Sequence, residues 1–109
     1  MQSDRMFSCL YLQCLSNPNK LRRKHLEDVK EPHTSGVIPM GGSIMSSPPV
    51  EGQTPPMIGS ALVIVASSKE EVIERLKSDI YSSSGVWDID KAQIWPFRSA
   101  IRSSLSGAI

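Results

Sequence analysis

Two residues far apart in the chain, His25 and Asp79, have side chains suited to moving a proton. An imidazole changes its protonation near neutral pH. A carboxylate that accepts a hydrogen bond from one ring nitrogen fixes the tautomer and raises the basicity of the other nitrogen. His25 lies four residues from both Leu21 and Val29, near the apolar stripe of a predicted helix. The alternative for His25 is a packed histidine bonded to a backbone carbonyl, and spacing alone does not bring the two side chains together.

The sequence around Asp79 predicts that this residue ends a helix. A carboxylate is disfavoured at that end by the negative pole of the helix dipole. We therefore expect Asp79 either to cap the following turn or to hold a partner such as His25. A hydrogen bond between the two side chains in a concave pocket would favour an enzyme, whereas a His25 in a dry core or in bulk solvent would favour a binding module.

Other polar residues offer less chemistry. Gly59 permits an unusual backbone angle or the close approach of a ligand, and Ser60 could donate to a bound oxygen, but a turn before a strand explains both equally well. Ser60 is not predicted to be an activated nucleophile, because no base lies near it in the sequence. His33 is expected to be exposed. The sequence has no phosphate loop, dinucleotide fingerprint or metal-ligand spacing, so neither a metal nor a cofactor is predicted.

Length and composition narrow the classes of function. The 109 residues predict one domain with a thin core, which a partner subunit would help to complete. With 12 basic and 11 acidic residues, the charge is balanced, so no nucleic-acid or membrane-surface partner is predicted. No apolar run reaches the roughly 20 residues that a membrane span needs. The short apolar run that begins at Met6 is interpreted as a strand rather than as a signal peptide.

The two cysteines indicate a compartment. Cys9 and Cys14 are five residues apart, which places them on opposite faces of a regular strand. A disulfide between them is therefore not expected. Two unpaired thiols suit a reducing compartment, and we predict a cytoplasmic protein.

In the first half of the chain, the elements expected to position these residues are a strand, a helix and a second strand. The first strand is predicted at 6–13. A helix should begin at Pro18, with the residue before it as N-cap, and Pro32 should stop it. A second strand is predicted within 36–45, with a bend or bulge at its Gly41-Gly42 pair.

The second half starts with a proline-rich loop over 46–57, which is either a lid over a pocket or a plain surface connection. The run at 60–66 is β-branched and almost wholly apolar, which indicates a strand in the middle of the sheet, buried on both faces. Ser68, followed three residues later by a glutamate, predicts the start of a helix that ends at 79–81. A last strand is predicted over 86–95.

The predicted order βαββαβ is typical of a ferredoxin-like α+β sandwich, with an antiparallel sheet and two helices on one face. The domain is expected to span 6–98, with flexible tails at 1–5 and 99–109. The other face of the sheet is left open, and small domains of this kind often close it by dimerisation. We therefore expect a homodimer formed through the open face.

Several short motifs follow one another between residues 6 and 98. They are Arg22-Arg23-Lys24-His25-Leu26, Gly36 with Gly41-Gly42, Gly59-Ser60, Ser68-Lys69-Glu70-Glu71, Asp79-Ile80-Tyr81, Gly85-Val86-Trp87 and Ile94-Trp95-Pro96-Phe97. In that order and spacing they resemble the YciI-like (YCII-related) family, and from Gly59 onward its fungal members. The family consists of small α+β proteins with a dimeric ferredoxin-like fold, also described as a dimeric α/β barrel.

The resemblance implies that His25 and Asp79 face a common pocket, because members of the family are proposed to be acid/base enzymes. It suggests a lyase or isomerase, such as a dehydrochlorinase, that acts on a cyclic or aromatic small molecule without a cofactor. The alternative is a non-catalytic dimer that binds a small ligand or another protein. Trp87 or Trp95 could stack on a ring of the substrate, although packing in the core is the favoured expectation for both. The expected substrate contacts are Ser60, Gly59, Tyr81 and Arg22.

Overall fold

The computed structural model of the protein describes residues 6–53 and 56–101. Its four strands are β1 (Met6–Gln13), β2 (Met40–Met45), β3 (Met57–Ala66) and β4 (Gln93–Phe97). They lie in the order β2-β3-β1-β4, and each neighbouring pair is antiparallel. This is the strand order of the ferredoxin-like sandwich, so the predicted fold class is confirmed. Most of the two predicted tails lies outside the described residues.

The helices fall into two pairs along the chain. They are α1 (Arg22–Asp28) and α2 (Lys30–Thr34) between β1 and β2, and α3 (Lys69–Lys77) and α4 (Ile80–Ser83) between β3 and β4. Short 3₁₀ turns precede α1 and β4, at Asn19–Leu21 and Ile89–Lys91. In the described part of the chain, no helix is both long enough and apolar enough to cross a membrane.

The start of α3 follows its sequence signal. The Ser68 hydroxyl accepts from the Glu71 N–H at 3.1 Å, as the N-cap of the helix. The Glu71 carboxylate in turn accepts from the Ser67 N–H at 2.8 Å, one residue before the N-cap. These reciprocal bonds satisfy amide groups that have no partner inside the helix. The predicted capping box is therefore confirmed, except that the glutamate bonds the amide one residue before the N-cap.

Pro32 does not stop the first helical segment, and that prediction is wrong. The segment breaks earlier, at Val29, which ends α1 and caps α2. Pro32 therefore falls in the first turn of α2, where an N–H has no intrahelical partner and a proline is tolerated. The Pro32 carbonyl then accepts from the amides of Val37 and Ile38, at 2.8 and 3.1 Å, and the chain turns toward the sheet.

The second and third strands of the chain differ from prediction at their ends. β2 begins at Met40, and its register shift lies between Ile44 and Met45 rather than at the glycine pair. β3 begins at Met57, so Gly59 and Ser60 lie inside the strand, paired with Gln13 and Leu12 of β1. The apolar run marks only the second part of β3, whereas pairing with β1 extends the strand back to Gly59.

The predicted last strand is only partly correct. β4 begins at Gln93, and the segment from Val86 is a loop with one 3₁₀ turn. Trp87 in this loop forms an isolated antiparallel bridge with Cys14. Both Val86 and Trp87 are buried, which explains why their sequence resembles a strand.

The core lies between one face of the sheet and the helices. Alternate residues of β1 and β3 meet apolar residues of α3 and α4 in one cluster, whose central members are Leu10, Leu12, Leu62, Ile64, Val72, Leu76 and Tyr81. Burying a side chain of this size stabilises the fold by about 1.5–3 kcal/mol. The helices thus cover one face, and the opposite face is open.

Candidate active site

His25 and Asp79 are hydrogen-bonded to each other. His25 lies in α1 and Asp79 in the connection between α3 and α4, and the His25 Nδ1 to Asp79 Oδ1 distance is 2.8 Å. Both side chains are largely buried, with 12% and 9% of their surface exposed. The separation of 54 residues in sequence is closed by the packing of the two helical pairs on the same face of the sheet.

Asp79 is also the N-cap of α4. Its Oδ1 accepts from the Tyr81 N–H at 2.9 Å, and its backbone is extended, as an N-cap requires. The prediction that Asp79 ends the preceding helix is wrong, because α3 stops at Lys77 and a new helix starts immediately. The carboxylate therefore lies at the favourable, positive end of a short helix rather than at the negative end of a long one.

The hydrogen bond fixes the roles of the two ring nitrogens of His25. A carboxylate accepts and does not donate, so Nδ1 carries a proton, and in the neutral imidazole Nε2 therefore holds a lone pair. Nε2 makes no hydrogen bond to the described residues. Since no buried side-chain nitrogen or oxygen among them lacks a partner, Nε2 must lie where solvent or a ligand reaches it.

Two aromatic rings pack against the His25 imidazole. The His25 ring stacks on the Tyr81 ring, with centroids 4.0 Å apart and planes 5° from parallel. The Trp87 indole meets both rings nearly at right angles, each at 5.5 Å. We call His25, Tyr81 and Trp87 the ring cluster. Edge-to-face and offset arrangements of this kind are favourable aromatic geometries, and they restrict rotation of the imidazole.

Tyr81, a predicted substrate contact, is fully buried. Its ring supports the imidazole, and its hydroxyl lies 3.5 Å from the Pro18 carbonyl. Burial raises the pKa of the Tyr81 phenol above its ordinary value, and the nearby positive charge of Arg22 partly opposes that rise. Tyr81 therefore stays neutral near pH 7.

Ser60, another predicted substrate contact, is 3% exposed. Its hydroxyl accepts from the Trp87 Nε1–H at 3.1 Å. Substrate binding by Ser60 stays a prediction, but the contact that the structure gives this side chain is to the ring cluster. Sequence reasoning missed this link, because no local pattern connects residues 27 positions apart.

Gly59 is placed by strand packing. A Cβ at this position would lie 2.7 Å from the Leu12 carbonyl and 3.0 Å from the Tyr11 ring. The residue is thus a glycine because β1 passes close to it, and the unusual backbone angle considered from the sequence is not present. A ligand contact by Gly59 stays a prediction. Arg22, the fourth expected contact, is exposed at the start of α1, one turn before His25.

A cavity of about 410 Å³ opens between the end of β1 and the start of β3. It is lined by Gln13, Cys14, Leu15, Ser16, Asn17, Pro18, Asn19, Pro56, Met57 and Ile58. Pro56 belongs to the proline-rich loop, so one end of that loop does border a cavity. His25 and Asp79 do not line it, but Cys14 and Pro18 connect it to the ring cluster through Trp87 and the Tyr81 hydroxyl.

The two cysteines are free thiols. Cys9 pairs with Val63 and Trp95 on the open side of the sheet, whereas Cys14 packs against the core. Partial burial raises the pKa of the Cys14 thiol. Across the described ranges, no group of three or more His, Cys, Asp or Glu side chains is arranged to hold a metal ion.

The fold is shared with an enzyme of known structure. The chain superposes with a TM-score of 0.70 and 20% identity on 5-chloro-2-hydroxyhydroquinone dehydrochlorinase of Burkholderia phenoliruptrix, solved in complex with 2,5-dihydroxybenzoquinone. The match covers 85% of this chain and 94% of that one. At this identity the likeness defines the class of fold, an α+β ferredoxin-like domain.

Sequence comparison identifies the family. The chain is 35% identical over 85 residues to fusaric acid biosynthesis protein 2 of Gibberella fujikuroi, covering 78% of this chain and 82% of that protein. It is 31% identical to xenovulene A biosynthesis cluster protein asL2 of Sarocladium schorii, covering 75% and 73%. This protein belongs to the family of fusaric acid biosynthesis protein 2. No family model matches the chain, so the YciI-like resemblance stays a prediction.

Proposed function

We propose that this protein is a small acid/base enzyme, a lyase or isomerase that needs no cofactor, with His25 as the proton-transferring residue. The observation that carries the proposal is the hydrogen bond between His25 Nδ1 and Asp79 Oδ1, which leaves Nε2 as the ring nitrogen that can exchange a proton with a ligand. In this scheme Nε2 removes a proton from a carbon of the substrate and later returns it, or passes it to a leaving group.

Asp79 has two tasks in this mechanism. Its carboxylate holds the Nδ1–H tautomer before the reaction, and it balances the positive charge that the imidazole gains when Nε2 takes up a proton. The ring cluster prevents the imidazole from turning away from the carboxylate. Proton transfer by a positioned side chain accelerates a reaction by about 10²–10⁴-fold.

The proposed substrate is a cyclic or aromatic molecule with hydroxyl or keto oxygens. Two considerations support this class. The structural neighbour is named for action on 5-chloro-2-hydroxyhydroquinone, and the sequence relatives are named for biosynthesis of fusaric acid and xenovulene A. A keto oxygen on a ring acidifies the neighbouring C–H bonds, and a neutral imidazole can then remove one of these protons. The Arg22 cation, one turn from His25, is placed to attract an enolate or phenolate oxygen.

The test is a comparison of the two histidine variants, His25→Ala and His33→Ala. Each is assayed for chloride release from 5-chloro-2-hydroxyhydroquinone and for hydrogen–deuterium exchange of acidic C–H groups in a panel of cyclic ketones and quinols. The His33 side chain is the matched control, because its Nδ1 bonds only the nearby Ile38 carbonyl. We expect His25→Ala to lose at least 100-fold in rate and His33→Ala to keep wild-type turnover. A folded His25→Ala variant with undiminished turnover would remove the proposal.

A second candidate function is the binding of a small ligand without catalysis. The observation that favours it is the cavity of about 410 Å³, which His25 and Asp79 do not line. Its polar lining groups are uncharged, so it suits a neutral molecule. Protection of Cys14, but not Cys9, from alkylation by a compound that the protein does not turn over would support this function.

We also propose that a second copy of this chain covers the open face of the sheet. One row of side chains, Met40, Val63, Cys9 and Trp95, crosses all four strands on that face. Trp95 and Met40 at the ends of the row are 49% and 58% exposed, and Phe97 beside them is 44% exposed. An apolar row at the centre of an otherwise uncovered sheet is typical of an interface, and a copy of the same chain supplies a complementary surface through two-fold symmetry.

A further inference from the structure

The Ser60 hydroxyl and the Trp87 indole form a polar contact inside an otherwise apolar region. The Nε1 to Oγ distance is 3.1 Å, and the two residues are 3% and 3% exposed. A buried indole N–H without an acceptor would cost about 1–3 kcal/mol, so a partner is expected. The partner comes from the inner strand β3, so this hydrogen bond ties the loop before β4 to the sheet.

The backbone of Trp87 is already fixed by other contacts. Its N–H donates to the Tyr81 carbonyl at 3.0 Å, and the residue bridges to Cys14 at the end of β1. The rotation that remains is that of the side chain about its two χ angles. The hydrogen bond to Ser60 holds the Nε1 edge of the indole and restricts this side-chain rotation.

The indole in turn contacts both stacked rings. It lies at 83° to the His25 ring and at 82° to the Tyr81 ring, with centroids 5.5 Å away in each case. Because the indole stands perpendicular to the stacked His25 and Tyr81 rings, it restricts sliding of either ring along the other. The sheet is thereby connected to the imidazole through one hydrogen bond and one aromatic contact.

We propose that Ser60 is a positioning residue for His25, and that it acts through Trp87 rather than by touching the substrate. The inference rests on the proposed function in one respect, that His25 is the base. Its expected consequence for catalysis follows from alignment, because a shift of about 1 Å in a reacting group can cost on the order of 100-fold in rate.

Ser8 provides a matched control for Ser60. It is a buried serine, 4% exposed, and lies four residues before the Leu12 that pairs with Ser60, so it faces the same side of the sheet. The structure gives it no contact with the ring cluster. Ser8→Ala therefore reports the general cost of removing a buried hydroxyl from this sheet face.

The experiment measures the imidazole directly in protein carrying ¹⁵N-labelled histidine and tryptophan. In Ser60→Ala we expect altered His25 ring nitrogen shifts, faster exchange of the Trp87 indole N–H, and a kcat about 10- to 100-fold lower with KM nearly unchanged. Ser60→Thr, which keeps the hydroxyl, should restore both signals and rate, and Ser8→Ala should leave them as in wild type.

A second variant keeps the test decisive if Ser60→Ala does not fold. Trp87→Phe keeps a ring but removes the donor, so it should reproduce the loss, and the double variant should lose little beyond the single ones. Unchanged His25 signals in the variant that folds would overturn the inference. Altered signals with wild-type kcat would also overturn it where His25→Ala abolishes turnover. The NMR signals need no substrate, so they decide the positioning role even if His25→Ala retains activity and the proposed function fails.

Discussion

The Asp79 carboxylate accepts two hydrogen bonds on one oxygen. One comes from the His25 imidazole at 2.8 Å and the other from the Tyr81 backbone at 2.9 Å. The bond from the Tyr81 backbone caps α4 and orients the carboxylate independently of His25. An acceptor fixed in this way needs little further ordering to hold an imidazole, so both bonds reinforce the same side-chain conformation.

Replacing Asp79 with asparagine should separate these two roles. Asparagine is as good an N-cap as aspartate, so we expect the free energy of unfolding to fall by less than about 1 kcal/mol. The negative charge that balances the imidazolium is lost, and we expect turnover to fall by about 10²–10⁴-fold. Urea unfolding and steady-state kinetics on the same preparation measure the two quantities.

Asp79→Ala is the companion variant, since it removes the cap as well as the charge. We expect it to lose about 1 kcal/mol more stability than Asp79→Asn. An Asp79→Asn protein with wild-type turnover would contradict a charge-balancing role for this residue.

At the residue scale, the types and local spacing of His25 and Asp79 singled them out as candidates for proton transfer. Spacing did not predict that the two side chains meet; that expectation came from the family resemblance. Ser60 and Tyr81 were predicted to contact a substrate, whereas the structure joins both to the ring cluster. Their partners lie across the core, and single-sequence spacing carries no information on contacts of that range.

Among the elements, the close approach of β1 and β3 at Gly59 sets a limit on side-chain size. A methyl group there would meet the Leu12 carbonyl at 2.7 Å, an atom of the backbone that cannot rotate away. The neighbouring strand β2 has a glycine at position 42 with nothing within 4 Å of an added Cβ. The two positions therefore differ in space although both glycines lie in strands of one sheet.

We predict that Gly59→Ala destabilises the protein by about 1–3 kcal/mol, because the added methyl forces β1 and β3 apart. Gly42→Ala is the matched control and should change the free energy of unfolding by less than about 0.5 kcal/mol. Chemical unfolding of both variants measures the difference. Equal effects in the two variants would show that strand separation at Gly59 costs nothing beyond the loss of a glycine.

The elements that the sequence predicted well are those whose signals are local. The apolar run of β3 and the Ser68 cap of α3 are examples, and both are confirmed in the structure. The errors at Pro32 and at the start of β4 have a tertiary cause. A break at Val29 puts the proline where it is harmless, and burial of Val86 and Trp87 gives a loop the composition of a strand.

For the whole molecule, the uncovered sheet face is the surface through which we propose that the chain associates with a second copy. The helices shield one face, and the row ending in Trp95 remains on the other. A domain of about 100 residues buries less of its surface than a larger one, so covering this face should add appreciably to its stability. Because the row crosses every strand, a partner there would contact the whole sheet.

We predict that Trp95→Glu converts the proposed dimer into a monomer, since it places a charge at one end of the apolar row that the partner would cover. Val50→Glu is the matched control, because Val50 is 56% exposed in the proline-rich loop and belongs to none of the four strands. Sedimentation velocity over a range of concentrations measures the effect. A wild-type protein that is monomeric throughout that range would rule out the dimer.

Asp79 both caps α4 and bonds His25, and these two roles affect how activity should be traced among relatives of this protein. A copy that had lost its reaction would still need an N-cap for α4, so selection for folding alone would retain Asp79 or exchange it for asparagine, serine or threonine. His25 caps nothing and carries no such second obligation. Under the proposed function, gain or loss of the histidine, rather than of the acid, is therefore the change that should distinguish relatives with the reaction from relatives without it.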